Sequence, residues 1–215
     1  MKRIFPDLYR LTEVDGDAWA HSYLIVRKSG NLLLPGYVPS LVEHLDRIEK
    51  LGGVSLQFLS HVHDVNVEFH DQAFARFDSK LCHHKAARSR VQQKTECLAE
   101  EFGHDGLELD DDFEAIYFPG HTPGHSIFRW HRGGKQFLFT GHVMRFEDDR
   151  WKLNFNPTKA PKGTDFDHLA KADYLLPSYS RAEDYYTMDG HLRALFLDAI
   201  AGAWKHPRPV DRDVF

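Results

Sequence analysis

Short apolar runs alternate with amphipathic spacings along the first half of the chain. Short apolar or alternating runs, the first two of them with aromatic and β-branched residues, predict strands at residues 8–12, 21–27, 32–34, 54–59 and 80–82. Apolar residues spaced three or four apart predict helices that begin at Pro39-Ser40, with Ser40 as the N-cap, and that cover residues 67–77 and most of 85–101. This alternation of strands and helices is typical of an α/β layer.

The second half begins with strands and ends with a helix. The predicted strands are residues 114–118, 126–131, 136–140, 151–155 and, as the last strand, 174–176. The predicted helices are residues 165–171 and the amphipathic stretch 191–204. No segment resembles a linker, so we expect one domain over residues 1–215. Strand-rich stretches followed by helices suggest two packed sheets with helices outside.

Composition and charge narrow the classes of partner. The chain of 215 residues carries 27 Lys and Arg against 32 Asp and Glu, a formal net charge of −5. This mild acidity predicts no nucleic-acid partner. No apolar run reaches the ~20 residues of a membrane helix, so we expect no membrane partner. The N-terminus lacks the apolar stretch of a signal peptide, and two cysteines make no disulfide framework, so a cytoplasmic location is predicted.

The chain has 15 histidines, and those at the ends of predicted strands are its strongest chemical signal. His61 and His63 directly follow the apolar run 54–59, and residues i and i+2 of an extended segment point the same way, so both rings can chelate one metal ion. His121 and His142 likewise follow predicted strands. If those strand ends converge, the site is rich in nitrogen and suits zinc or iron.

Simpler interpretations compete with a metal site. A single His-x-His pair arises easily by chance in a chain this rich in histidine. A second segment can also be explained without a metal, as a turn rich in Pro and Gly whose histidines cap backbone groups: Pro119-Gly120-His121-Thr122-Pro123-Gly124-His125. We expect His125 to support this loop, and His84 to be an exposed residue at the start of a helix.

Four segments resemble one family. Residues 61–66, His-Val-His-Asp-Val-Asn, look like the His-x-His-x-Asp-His motif of the metallo-β-lactamase-fold hydrolases, and residues 119–125 match its second motif almost letter for letter. Thr140-Gly141-His142 falls where the family has Thr-Gly-Asp, and residues 175–179 fall where it has an apolar strand and Pro-Gly-His. The layout is similar to small glyoxalase-II-like members. The resemblance implies an α/β fold, an αββα four-layer sandwich of two mixed β-sheets flanked by helices, with a metal site at the sheet edge.

The departures from the family concern the second metal. The resemblance implies that His61, His63 and His121 form a first metal site, and all three are present. A second site would need Asp at 65, His at 66, Asp at 142 and His at 179. The residues at those positions are Val65, Asn66, His142 and Tyr179. Pro35 also replaces a supporting Asp. We therefore expect a degenerate, mononuclear centre.

The role of the remaining polar residues stays open. His142 either reaches the ion as a fourth ligand, which closes a tetrahedral site, or points away and leaves a position open. Asp64 and Tyr179 are candidate catalytic residues that act as a base or orient water, although Asp64 is also a plausible loop cap.

The resulting prediction is a metal-dependent hydrolase. It holds one divalent ion, zinc or alternatively iron, and acts on an ester, thioester or amide of a small molecule. The alternative is a catalytically inactive protein of the same fold that binds a small molecule or a protein partner. Redox chemistry at a His-bound iron has less support.

Overall fold

The computed structural model describes residues 1–15, 18–36, 38–154, 156, 169–180 and 185–205. The strands within these residues are β1 Lys2–Phe5, β2 Leu8–Asp15, β3 Ala18–Ile25, β4 Leu32–Leu34, β5 Leu56–Phe58, β6 Lys80–His84, β7 Ala99–Phe102, β8 Leu107–Leu109, β9 Phe113–Tyr117, β10 Ser126–Arg132, β11 Lys135–Gly141, β12 Met144–Glu147, β13 Arg150–Leu153, β14 Tyr174–Pro177, β15 Tyr179–Ser180 and β16 Tyr186–Thr187. The α-helices are α1 Leu45–Glu49, α2 Val67–Phe77, α3 Arg88–Gln92 and α4 Gly190–Lys205. Short 3₁₀ helices cover Pro39–His44, Val62–Asp64 and Lys85–Ala87.

Two mixed sheets contain most of these strands. The first has the order β1-β2-β3-β4-β5-β6-β7, antiparallel from β1 to β4 and parallel from β4 to β7, and β15 pairs with the start of β3. The second has the order β16-β14-β11-β10-β9-β8, in which only β11 and β14 are parallel. Strands β12 and β13 form a separate hairpin.

The period-two alternation of strand side chains divides the core into layers. In β3, Tyr23 and Ile25 face the second sheet and share a cluster with Phe58 and Phe128, whereas Leu24 lies in a different cluster on the opposite face. Leu33 belongs to the same outer cluster as Leu24. The first sheet is therefore buried on both faces.

Helices cover the two outer faces. Leu45, Ile48 and Phe69, from α1 and α2, pack on the first sheet. Phe196 and Ile200, from α4, pack on the second sheet together with the β12–β13 hairpin. The order of layers is helix, sheet, sheet, helix, which confirms the predicted α/β sandwich.

Helix α2 has the bounds that its spacing predicted. Its N-cap is Asn66, whose side-chain oxygen accepts a hydrogen bond from the Phe69 amide at 3.1 Å. It ends at Asp78, which has φ +55° and therefore leaves the helical conformation. Phe69 and Ala73 are buried, as expected for the apolar face.

The predicted helix over residues 85–101 is wrong. Only Arg88–Gln92 is α-helical, and residues 99–102 form β7, which pairs in parallel with β6. The side chain of Asp71 on α2 fixes the segment between them, because it accepts hydrogen bonds from the Thr95 hydroxyl and, at 2.9 Å, from the Cys97 amide. These contacts are long-range and leave no signal in local spacing.

Two other expectations need correction, and a third lies partly outside the described residues. Ser40 is not the N-cap: a 3₁₀ helix with Val38 as its N-cap begins at Pro39, and the Ser40 amide donates to Glu13 Oε2 at 2.8 Å. Strand β14 is not the last strand, since β15 and β16 follow it. Residues 165–168 of the predicted helix 165–171 lie outside the described residues.

Each of the helices that the structure describes is too short or too polar to span a membrane.

Candidate metal centre

His61 and His63 lie at the end of a buried interior strand. Strand β5 pairs in parallel with β4 and β6, so it lies inside the first sheet, and the chain reaches His61 three residues after it. His61 is fully extended, with φ −163° and ψ 169°, and a 3₁₀ turn, Val62–Asp64, follows at once. The turn presents His63 to solvent while His61 and Asp64 stay buried.

His121 reaches the same place from the second sheet. It lies in the loop between β9 and β10, which is closed by a backbone hydrogen bond of 3.0 Å from Phe118 N to His125 O. The Ser126 amide donates to the carbonyl of Ser60 at 2.8 Å, which attaches this loop to the end of the first-sheet segment. The two sheets are thus joined beside the histidines.

Three histidines come together at this junction. One ring nitrogen from each of His61, His63 and His121 lies within 4.8 Å of the others. The ring centroid of His61 is 5.0 Å from that of His63 and 4.9 Å from that of His121. His61 is buried, His121 half-buried and His63 exposed, so the group opens to solvent on the His63 side.

The hydrogen bonds of two of these rings select the tautomer that a metal needs. The Nδ1 of His121 is 3.2 Å from the Asn154 carbonyl, which can only accept, so Nδ1 carries the proton. The Nδ1 of His61 is 2.8 Å from Asp64 Oδ2. The Nε2 atoms of His61 and His121 are buried and have no hydrogen-bond partner among the described residues. Two imidazoles with such nitrogens, next to the exposed ring of His63, fit a divalent metal ion.

Electrostatics keep these rings neutral. Burial lowers the pKa of His61 well below its usual range, and the neighbouring His121 and His63 lower it further. Burial also lowers the pKa of His121 and of His63. A metal requires unprotonated imidazole, so the environment of all three rings favours the binding form.

His142 belongs to a second group. It directly follows β11, is 8% exposed, and has its Nε2 3.7 Å from Asp64 Oδ1. One atom from each of His61, Asp64 and His142 lies within 4.8 Å of the others, but His142 is not part of the group with His63 and His121. Burial lowers the pKa of His142 to about 3.

The two candidate catalytic residues occupy different environments. Asp64 is completely buried, and burial raises the pKa of its carboxyl group. Tyr179, on β15, is half-buried, with its ring centroid 6.0 Å from that of His142. The guanidinium carbon of Arg145 lies 5.9 Å from the Tyr179 ring. Only Tyr179 of the two is open to solvent.

Positions 65 and 66 serve the fold. Val65 is 7% exposed and packs in a hydrophobic cluster with Leu59 and Leu81. Asn66 caps α2 and also donates from Nδ2 to the Val38 carbonyl at 3.0 Å. Both groups of the Asn66 amide are therefore engaged by the backbone.

Two groups beside the candidate ligands, the Ser60 hydroxyl and the Asn154 carbonyl, are absent from the sequence predictions. Ser60 donates from Oγ to Asp64 Oδ2 at 2.5 Å, and the carbonyl of Asn154 holds His121. The spacing Ser60-His61-x-x-Asp64 is a usable signal for the Ser60–Asp64 hydrogen bond. A single turn between the two residues brings the carboxylate back to the hydroxyl four residues earlier. A backbone carbonyl leaves no trace in the sequence.

His84 is not the exposed residue that was expected. It ends β6, is completely buried, and stacks on Tyr117 with ring centroids 4.0 Å apart and an interplanar angle of 11°. Its Nδ1 accepts a hydrogen bond from the Ala86 amide at 3.1 Å. It does cap the short helix Lys85–Ala87, but from inside the protein.

We expect His84 to make folding stability depend on pH. Burial, followed by the nearby His104 and Lys85, lowers the pKa of His84 from 6.5 to about 4 in the folded protein. The unfolded chain therefore binds the proton more readily, so this contribution is complete above pH 6.5 and is lost as the pH falls towards 4. Urea denaturation should show wild type losing stability over this window relative to His84→Phe. Parallel pH profiles of the two proteins would contradict the assignment.

Among the comparisons with known proteins, only the solved structures give matches. Neither a protein-family model nor a curated protein matches this sequence. A Cronobacter sakazakii metallo-β-lactamase described by its HARLDQ motif matches 94% of this chain and 95% of its own, with 14% identity and a TM-score of 0.63. The metallo-β-lactamase SMB-1, solved with mercaptoacetic acid, matches 95% and 94% of the two chains, with 12% identity and a TM-score of 0.62. The chain has the metallo-β-lactamase fold.

The likeness extends over nearly the whole described architecture. A B3 metallo-β-lactamase with an active-site glutamic acid matches 93% of this chain and 89% of its own, with 15% identity and a TM-score of 0.59. Identities this low establish the metallo-β-lactamase fold and not the activity, because one fold hosts many functions. The predicted resemblance is confirmed at the level of the fold.

Proposed function

We propose that this protein is a metal-dependent hydrolase with a single divalent ion held by His61, His63 and His121. The observation that carries the proposal is the group of three ring nitrogens within 4.8 Å of one another. Three histidine ligands leave the fourth position of a tetrahedral ion for water or substrate, as in catalytic zinc sites. We propose zinc as the ion, with iron as the other metal that this nitrogen set accommodates.

The roles of the residues at the second-site positions support a single ion. Val65 contributes to a hydrophobic cluster, and both polar groups of the Asn66 side chain bond to the backbone. His142 lies with Asp64 instead of joining the three-nitrogen group. The residues that would hold a second ion thus serve packing, capping and a buried polar contact.

The residues of this chain have separable tasks in the proposed reaction. When bound, the metal ion polarises a substrate carbonyl and lowers the pKa of a water molecule. His61 and His121 hold the buried side of the centre, and exposed His63 marks the side from which substrate enters. We assign to the half-buried Tyr179 hydroxyl the orientation of the carbonyl oxygen by a hydrogen bond. The substrate is a small molecule with an ester, thioester or amide bond.

A non-catalytic binding protein is the second candidate. It is favoured by one specific observation: none of the four second-site positions carries the residue of the family motif, since they are occupied by Val65, Asn66, His142 and Tyr179. In this alternative the metal holds the two sheets together or binds a ligand without turnover.

Reconstitution separates the two candidates. The untagged protein is stripped of metal with a chelator and is then assayed with and without one equivalent of zinc on 4-nitrophenyl acetate, a glutathione thioester and an anilide. We expect hydrolysis of at least one substrate that requires zinc and is absent in His121→Ala. Stoichiometric zinc uptake with no turnover above the His121→Ala background would favour the binding protein.

A further inference from the structure

A buried carboxylate lies directly behind the His61 ligand. Asp64 is 0% exposed, and its Oδ2 is 2.8 Å from His61 Nδ1 and 2.5 Å from Ser60 Oγ. Its other oxygen, Oδ1, is buried 3.7 Å from His142 Nε2. A carboxylate so enclosed is badly placed to take a proton from water at the open His63 side of the centre.

The hydrogen bonds assign a direction to the His61 ring. The Ser60 hydroxyl directs its proton to Asp64 Oδ2, and its oxygen also lies 3.0 Å from His61 Nδ1. With its own proton given to Oδ2, the Ser60 oxygen can only accept from the ring, so the proton of His61 lies on Nδ1, where Oδ2 accepts from it as well. The lone pair of His61 is then on Nε2, which is buried and has no hydrogen-bond partner among the described residues. The free nitrogen is consequently directed away from Asp64.

The backbone keeps this contact short. His61 is extended and the next three residues form a single 3₁₀ turn, closed by a 3.1 Å hydrogen bond from Asp64 N to His61 O. The carboxylate therefore returns to the ring of the residue three positions earlier. His121 differs, because its Nδ1 donates to the neutral Asn154 carbonyl.

We propose that Asp64 is a positioning residue: with Ser60, it fixes His61 as the Nδ1-protonated tautomer and orients Nε2 towards the metal. This inference rests on the metal site of the proposed function, and it assigns Asp64 a role other than a base. A carboxylate bonded to a histidine ligand fixes the ring and raises its basicity, and loss of such partners typically costs 10- to 100-fold in metal affinity.

The affinity test uses Asp64→Asn, which keeps the shape of the side chain and removes its charge. Zinc binding is measured by competition with a chromophoric chelator. We expect Asp64→Asn to bind one ion with affinity reduced by about 10- to 100-fold. The matched control is Asp71→Asn, because Asp71 also accepts from a hydroxyl and a backbone amide but lies outside the histidine groups. This control should retain wild-type zinc affinity.

A second readout needs no variant. In metal-free wild type, ¹⁵N correlation spectra should show His61 protonated at Nδ1 and not at Nε2. A proton on Nε2, or Asp64→Asn affinity within twofold of wild type, would overturn the proposal. So would zinc-edge absorption spectra in which Asp64→Asn loses one oxygen ligand, since Asp64 would then bind the metal itself.

Failure of this inference is distinguishable from failure of the proposed function. Zinc binding without hydrolysis overturns the hydrolase alone and leaves the role of Asp64 to be decided by affinity and tautomer. Absence of zinc uptake by wild type overturns both.

Discussion

Replacement of His61 and His121 together by alanine is expected to reduce bound metal from about one ion per chain to none. Both Nε2 atoms are buried and without a hydrogen-bond partner among the described residues, and the double variant leaves His63 as the one remaining histidine of the three-nitrogen group. One exposed imidazole binds a divalent ion too weakly to retain it during gel filtration. Elemental analysis after gel filtration measures the result.

A control variant separates metal loss from a general effect of removing histidine. His191 is exposed on α4, outside the histidine groups, so His191→Ala should keep the full metal content. Circular dichroism tests whether the double variant folds, and His63→Ala, at an exposed position, provides a milder change. Undiminished metal in a folded double variant contradicts the assigned ligands.

The second large effect is expected in the core between the sheets. Phe58 is 0% exposed, and its ring centroid lies 4.8 Å from that of Phe113 and 5.7 Å from that of Phe128, both on the opposite sheet. Phe58→Ala opens a cavity where the two sheets meet, and we expect a loss of about 3–5 kcal/mol in the free energy of unfolding. Urea denaturation measures it.

An exposed residue provides the comparison. The Leu98 side chain is 54% exposed, so Leu98→Ala should change the free energy of unfolding by no more than about 0.5 kcal/mol. If Phe58→Ala lowers the free energy of unfolding no more than Leu98→Ala does, packing between the sheets is not the main source of stability at strand β5.

Sequence patterns predict those helices and strands whose formation depends on neighbouring residues in the chain. Helix α2 has the predicted bounds, since its apolar spacing agrees with the burial of Phe69 and Ala73. Strand β12 was missed because the turn joining it to β13 uses Asp148 and Asp149 at φ +52° and +56°, where glycine or asparagine is the usual signal. Strand β7 was missed because its pairing with β6 is a long-range contact.

The candidate site likewise has residues that the sequence predicts and contacts that only tertiary packing determines. Strand ends and the Pro-Gly-His segment pointed to His61, His63 and His121, whose ring nitrogens the fold brings within 4.8 Å. The pairing of His142 with Asp64 depends on how the end of β11 packs against the 3₁₀ turn, which spacing does not reveal. The burial of His84 likewise depends on Tyr117 of the other sheet.

The most direct test of a single-metal centre is the metal content of untagged wild-type protein, purified without added metal and measured by elemental analysis. The three-histidine site predicts about one zinc ion per chain. Two ions per chain would contradict the single centre, and no ion, with none taken up on addition of zinc or iron, would contradict the metal site altogether.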